Sequence, residues 1–376
     1  MRRPHHHRAG MTLVELLVVV AIIGLLAVTV LPNLSNTAET RRTRETARAV
    51  STWVSKAQSR AIGRTEWAGF WILPVNAAAP YAAAIDLQLA DVPEVYRGES
   101  LQSQVTVAAP GNVTPNPPIP AWAYRELAWS PAGSFGTGRS ITPGVHGTTA
   151  GDLIRFDGSG PWFELLALTS SPLTFGMKFR GLGTTQGTSG QNPLNTAWPL
   201  ETVPHAYEIL RQPVRTGAPY SFADGRCIDL YWSGYDSSTG YRPFGLDPAS
   251  LGGIGQSWPN AAPVCILFDA NGRVRELVHR GTRLDVEGTI FLLVGRADRA
   301  GQAAAALNTG DDSIGTNWQY GDSYWIAIDP ASGIARVAEI AVPGPVVVGG
   351  SPIVLTLEWL KVSQSFIRSQ LVAGGR

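Results

Sequence analysis

From Met11 to Leu31 the chain runs 21 residues in which only Thr12, Glu15 and Thr29 are polar, and no other feature of its 376 residues limits its folding so tightly. Wound as a helix at ~1.5 Å per residue, the run spans roughly 31 Å, the hydrocarbon thickness of a bilayer. A helix also satisfies every internal backbone group there. The expectation is a single-pass membrane helix over 11–31. Arg2, Arg3 and Arg8 precede it, which favours a cytoplasmic N-terminus and an exported remainder. A secretory signal peptide fits poorly. Its apolar region is about 7–15 residues and ends in a small-residue cleavage site, whereas this run is longer and leads into Pro32-Asn33-Leu34-Ser35.

Glu15 is the anomaly in that run. A carboxylate deep in a bilayer costs about 2.5–3.5 kcal/mol even on the lenient insertion scale, and such groups usually pair. One reading places Glu15 in the first helical turn near the headgroups, where a negative charge suits the helix N-terminus. The other supplies a positive partner from another subunit at the same depth.

The string Gly10-Met11-Thr12-Leu13-Val14-Glu15-Leu16-Leu17, its short basic leader and the apolar helix after it resemble the class III prepilin signal of type IV pilins and type II secretion pseudopilins. Met11 departs from the usual Phe at the first mature position. The resemblance covers about the first 55 residues. It implies a leader over 1–10, cleavage by a prepilin peptidase between Gly10 and Met11, and N-methylation of Met11. It further implies that Glu15 pairs with the Met11 amine of a neighbouring subunit in a filament built on an inner-membrane assembly platform. Gly24 and Pro32 match helix-weakening positions of such helices; proline lacks an N–H and glycine is a poor helix former. The rival reading of Gly24 is close helix–helix contact in the membrane.

Beyond Pro32 the segment 33–64 reads as an amphipathic continuation of the helix. Asn33 or Ser35 can cap it, and Thr43, Ala47, Val50, Val54, Ala57 and Ala61 recur at steps of four and three, one stripe of a helix. Arg41, Arg42, Arg44, Arg48, Lys56, Arg60 and Arg64 share the segment with Glu39 and Glu45. A nucleic-acid arm is one reading of such a run; a solvated face opposite the apolar stripe is the better one, since the stripe needs a surface to pack on.

From residue 65 to 376 glycine and proline punctuate short β-prone runs. Strands are expected at 69–75, 82–89, 104–108, 121–129, 162–168, 173–180, 206–211, 227–232, 264–268, 289–294, 324–328 and 335–340. Asp269-Ala270-Asn271-Gly272-Arg273 and Asp329-Pro330-Ala331-Ser332-Gly333 are turn sequences, and 109–120 and 181–200 read as loops. The exported part is long enough for two β-subdomains. Within 355–372, Trp359, Val362, Phe366, Ile367 and Leu371 suggest one face of a helix, although 352–355 reads as a strand. The run 57–62 ahead of a strand, together with 265–273, looks similar to minor pseudopilins of the H and FimT type.

Electrostatics and chemistry narrow the function further. Lys and Arg number 30 against 29 Asp and Glu. Loss of the leader's three arginines leaves 27 against 29, so bulk binding of nucleic acid is not expected. Cys227 and Cys265 are the only cysteines. In an oxidising compartment an even count suggests a disulfide, with two buried free thiols as the alternative. His146, His205 and His279 lack metal-ligand spacing, and Gly321-Asp322-Ser323 lacks the strand–elbow–helix context of a nucleophile. The loop 310–313 offers oxygen ligands but fails the EF-hand pattern. Twelve tryptophans suit core and sheet faces more readily than a carbohydrate site. No cofactor, metal or catalytic residue is expected. The fold expected is α+β, a long N-terminal helix on a large β-rich globular domain as in pilins. The function expected is a structural subunit of a pilus or pseudopilus, the alternative being a monomeric membrane-anchored module that binds carbohydrate or protein.

Overall fold

The computed structural model describes residues 13–64, 66–75, 83–98, 103–109, 124–130, 150–167, 175–179, 198–222, 225–238, 240–245, 262–301, 315–342 and 352–373. Its first element is a 49-residue helix, α1 (Leu13–Ala61). Strands follow in chain order: β1 (Ala68–Pro74), β2 (Ala84–Asp91), β3 (Gln104–Ala108), β4 (Tyr124–Ser130), β5 (Ala150–Phe156), β6 (Ser159–Ala167) and β7 (Phe175–Phe179). Next come β8 (Pro204–His205), β9 (Tyr207–Leu210), β10 (Val214–Ser221), β11 (Arg226–Ile228), β12 (Gly234–Ser237) and β13 (Gly240–Pro243). The last are β14 (Val264–Phe268), β15 (Val274–His279), β16 (Thr282–Leu284), β17 (Ile290–Arg296), β18 (Tyr324–Ile328) and β19 (Ala335–Glu339). Helices α2 (Pro352–Ser363) and α3 (Ser365–Ala373) close the described chain.

Two antiparallel sheets result. The larger runs β13-β12-β17-β11-β2-β1-β14-β15-β16, with β10 against β2 and a branch from β17 through β18 to β19; the smaller runs β8-β3-β4-β7-β6-β5-β9. Alternation along each strand sorts the larger sheet's side chains to two faces. One face presents Phe70, Ile72, Ile266, Phe268, Leu292, Val294, Ile326 and Ile328, and α1 lies on it through Ala47, Val50, Val54, Ala57 and Ala61. All six stripe residues, Thr43 included, are fully buried. The alanines bring the helix close to bulky sheet side chains, the large-against-small interdigitation that fills a core at crystal density.

The opposite face is covered twice. Phe291, Leu293, Trp325, Ala327 and Ala338 meet Leu360 of α2 and Ile367 of α3. Farther along, Trp71, Ala90, Cys265, Leu267 and Val278 meet Leu153 and Leu210 of the smaller sheet, with Trp162 partly buried against them. The smaller sheet keeps its own core, centred on Val105, Val107, Ile154, Phe163, Met177 and Ile209.

The structure corrects several expectations. Residues 352–355 open α2 rather than forming a strand, with Pro352 at the first helical position, where its missing N–H costs nothing. The helix breaks at Gln364, and the turn there leaves Val362 and Phe366 exposed while Leu360 and Ile367 are buried, so the expected single stripe does not hold. Strands β5, β8, β10, β12, β13, β15 and β16 fall outside the expected ranges, and the strand expected at 227–232 ends at Ile228. The loops expected at 109–120 and 181–200 lie almost wholly outside the described residues.

Cys227 and Cys265 are free, buried thiols, and the expected disulfide is not formed. Cys227 sits on β11 and Cys265 on β14, with β2 and β1 between them. Three strand spacings amount to about 14 Å, twice the Cα separation of ~7 Å that a disulfide tolerates. Burial pushes both thiols up from their ordinary pKa, which keeps them protonated and unreactive. Iodoacetamide is expected to label neither cysteine in the native protein and both in denaturant without reductant; mass spectrometry reads the result, and an unlabelled pair in denaturant would restore the bridge.

Candidate functional site

The helix α1 divides into an exposed and a seated part. From Leu13 to Leu25 its apolar side chains stand in solvent, Leu13 at 80% and Leu25 at 70% exposure. Glu15 lies in the first described turn. Gly24 has nothing within 4 Å of where a Cβ would stand among the described residues. The helix continues unbroken through position 32. Gly10 and Met11 lie outside the described residues. Among the described residues no helix is long and apolar enough to cross a membrane. Residues 11–12 and the side chains of 26–38 fall outside that description, and the 13 residues from Leu13 to Leu25 extend about 20 Å, short of a bilayer.

The seated part is fastened at both ends. At its start the Glu39 carboxylate receives the buried Arg226 guanidinium, which lowers the Glu39 pKa from its ordinary value against the opposing pull of burial. Arg44 donates to the Tyr324 hydroxyl at 3.2 Å and to Glu339 Oε1 at 3.1 Å. At its end Arg60 grips Asp91 through two parallel bonds of 3.0 and 2.5 Å, and Arg64 adds a third of 3.1 Å. Such forked arginine–carboxylate pairs fix geometry as well as charge.

Between these ends Gln58 joins the helix to two turns. Its amide donates to the Gly272 carbonyl at 2.9 Å and to the Ser332 carbonyl at 2.7 Å. Both turns are built by an aspartate: Asp269 accepts from the Asn271 and Arg273 N–H groups, and Asp329 accepts from the Ser332 hydroxyl. They touch so closely that a Cβ at Gly333 would stand 2.0 Å from the Gly272 carbonyl oxygen, and Gly333 has φ +67°. Thus the run 57–62 and the turn 269–273, distant in sequence, meet here. Replacing Gln58 with Ala leaves two half-buried carbonyls without this donor. We expect a loss of about 1–3 kcal/mol in urea unfolding of the detergent-solubilised chain, with faster amide exchange at 269–273 and 329–333; unchanged exchange would remove Gln58 as the connection.

Titratable groups elsewhere do not assemble into a reactive centre among the described residues. His205 Nδ1 lies 2.7 Å from Asp157 Oδ2, a contact that spacing did not reveal, but Nε2 lies 3.0 Å from the Leu200 carbonyl. With acceptors on both nitrogens the ring has no free face for proton transfer. Burial alone would lower its pKa; the Leu200 carbonyl and the Asp157 carboxylate outweigh burial and raise it. His279 is half-buried with its ring 5.3 Å from that of Phe244, and loss of solvation drops it to about 3; His146 and the 310–313 loop lie outside the described residues. Ser323 is fully buried ahead of β18, with Asp322 turned to Arg299. Burial raises Asp229 to about 6, although Asn317 and the Tyr231 and Gly301 N–H groups hold it down. No cluster able to hold a metal ion occurs among the described residues.

Because the folded pKa of His205 lies above its unfolded value, its contribution to stability is complete below the ordinary value of 6.5 and fades as pH rises past the folded one. The stability difference between the protein and a His205→Asn variant should therefore shrink in thermal unfolding from pH ~5.5, about a unit below that value, to pH ~8.5, about two units above it. A difference independent of pH would break the assignment.

Comparison with known proteins bears on the N-terminus. Residues 5–31 match the prokaryotic N-terminal methylation motif, so this end of the chain is a class III prepilin signal, the mark of type IV pilin and pseudopilin precursors processed by a prepilin peptidase. No curated protein matches the chain, and no solved structure does.

Proposed function

We propose that the protein is a minor pilin or pseudopilin, cut between Gly10 and Met11, N-methylated at Met11 and built into a filament. The observation that carries this reading is the methylation motif at the head of a helix that is divided in two. Its second half is committed to the chain's own sheet, while its first half presents Leu13, Leu16, Leu17, Ile22 and Ile23 more than half exposed among the described residues. Such a surface needs lipid first and neighbouring helices afterwards. In this reading residues 11–31 cross the inner membrane once, the leader stays in the cytoplasm, and residues 65–376 form the exported part. Glu15 then pairs with the Met11 amine of an adjacent subunit. The partners are a prepilin peptidase, other pilin-type subunits and an assembly platform; the role is structural rather than catalytic.

The second reading, a tethered binding module, draws support from a cleft of about 250 Å3 between the two sheets, lined by Trp67, Glu94, Leu153, Trp162 and Leu210. Its aromatic walls are of the kind that bind sugars or cationic side chains.

Intact mass spectrometry of the protein from a peptidase-competent host separates the two. The filament reading expects a chain beginning at N-methylated Met11, and an intact Met1 terminus favours the module. In the same host Glu15→Val should preserve or improve membrane insertion, since it removes a charge worth roughly 2.5–3.5 kcal/mol in the bilayer, while lowering recovery in sheared filaments. Normal recovery would dismiss Glu15 as a pairing group.

A further inference from the structure

The larger sheet has an edge with a slot built around it. Among the described residues β19 pairs with β18 alone, along Tyr324–Glu339 to Ile328–Ala335, so the main-chain groups of its other side face no strand. A cleft of about 490 Å3 is lined by Arg44 and Arg48 of α1, by Val337 and Glu339 of β19, and by Phe366 and Gln370 of α3. The helices α1 and α3 pack on opposite faces of this sheet, one over Tyr324, Ile326 and Ile328, the other over Trp325, Ala327 and Ala338. A cleft that touches both helices and β19 therefore lies off the sheet's edge, with a helix on either side.

That placement has a consequence for chemistry. An open edge is a template for another strand, and proteins that leave one open often use it to bind an extended peptide, with main-chain bonds giving affinity and side-chain pockets giving selectivity. Here Phe366, 54% exposed, supplies an apolar wall. Arg44 is matched by Glu339 at 3.1 Å. Arg48 is exposed and makes no ion pair among the described residues. The slot thus holds two cations against one carboxylate. Its own edge on a second copy is a poor occupant, since pairing the two would set four arginines against two glutamates.

We propose that the β19 edge is a strand-addition slot for an extended, carboxylate-bearing segment of a neighbouring subunit, whose main chain pairs with β19, whose carboxylate meets Arg48 and whose apolar side chain lies on Phe366. The identity of the occupant rests on the filament reading; the slot itself does not.

The test uses the full chain in detergent micelles and a fluorescein-labelled peptide of sequence VEVTVEV, read by anisotropy. The acidic peptide should bind, its lysine counterpart VKVTVKV should bind about tenfold more weakly or not at all, and Arg48→Glu should reverse that preference. Methylating alternate backbone amides of the acidic peptide should abolish binding on one edge register, and amide exchange should slow across 335–339 when the unmodified peptide is bound. Absence of binding at millimolar peptide, equal binding of the methylated forms in both registers, or unaltered exchange at 335–339 overturns the slot. Because Arg48 is exposed, its variant keeps the fold, which far-ultraviolet circular dichroism verifies. A negative result here with a correctly processed Met11 terminus refutes the slot and leaves the filament reading standing.

Discussion

The burial of one narrow helical stripe under one sheet face organises this molecule. The helix that carries Ala47, Val50, Val54, Ala57 and Ala61 meets seven strands of the larger sheet, β1, β2, β11, β14, β17, β18 and β19, and each valine contributes on the order of 1.5–3 kcal/mol by leaving water. The helix cannot be moved without uncovering Phe70, Ile266, Leu292 and Ile326 together. With that face taken, the sheet's other face is left to the C-terminal helices and the smaller sheet. The charged fastenings at Glu39, Arg44, Arg60 and Asp91 then set the helix's position along its axis, a matter that apolar contact by itself leaves loose.

A helix held in this way acts as a handle. Its exposed half receives little cover from the described body, and a methylation motif stands at its head. The described body presents two clefts, the aromatic one between the sheets and the one beside β19. Both lie on surfaces made by elements far apart in the chain.

Much of the helix was legible in the sequence because helical periodicity is local. The stripe from Thr43 to Ala61 and its burial follow from spacing, and the turns at 269–273 and 329–333 follow from aspartate and glycine chemistry. Strands such as 104–108, 264–268 and 324–328 were readable as short apolar runs between turn residues. Strands β10 and β12 were not, since Val214–Ser221 and Gly234–Ser237 carry glycine, proline and polar residues and become strands only because a partner completes their hydrogen bonds. The cysteines misled for a related reason: an even count says nothing about the two strands lying between them.

The sequence by itself determined how the head of the chain is marked: residues 5–31 form one contiguous methylation motif, legible because it lies in a single short stretch of chain. Only the tertiary structure decided what lies beside what: that Gln58 reaches two turns over two hundred residues away, that Cys227 and Cys265 stay apart, that His205 finds Asp157, and that β19 is the last strand of its branch among the described residues. Those outcomes depend on strand order and register, which are fixed by the joint burial of many residues and are not encoded in any short stretch of chain.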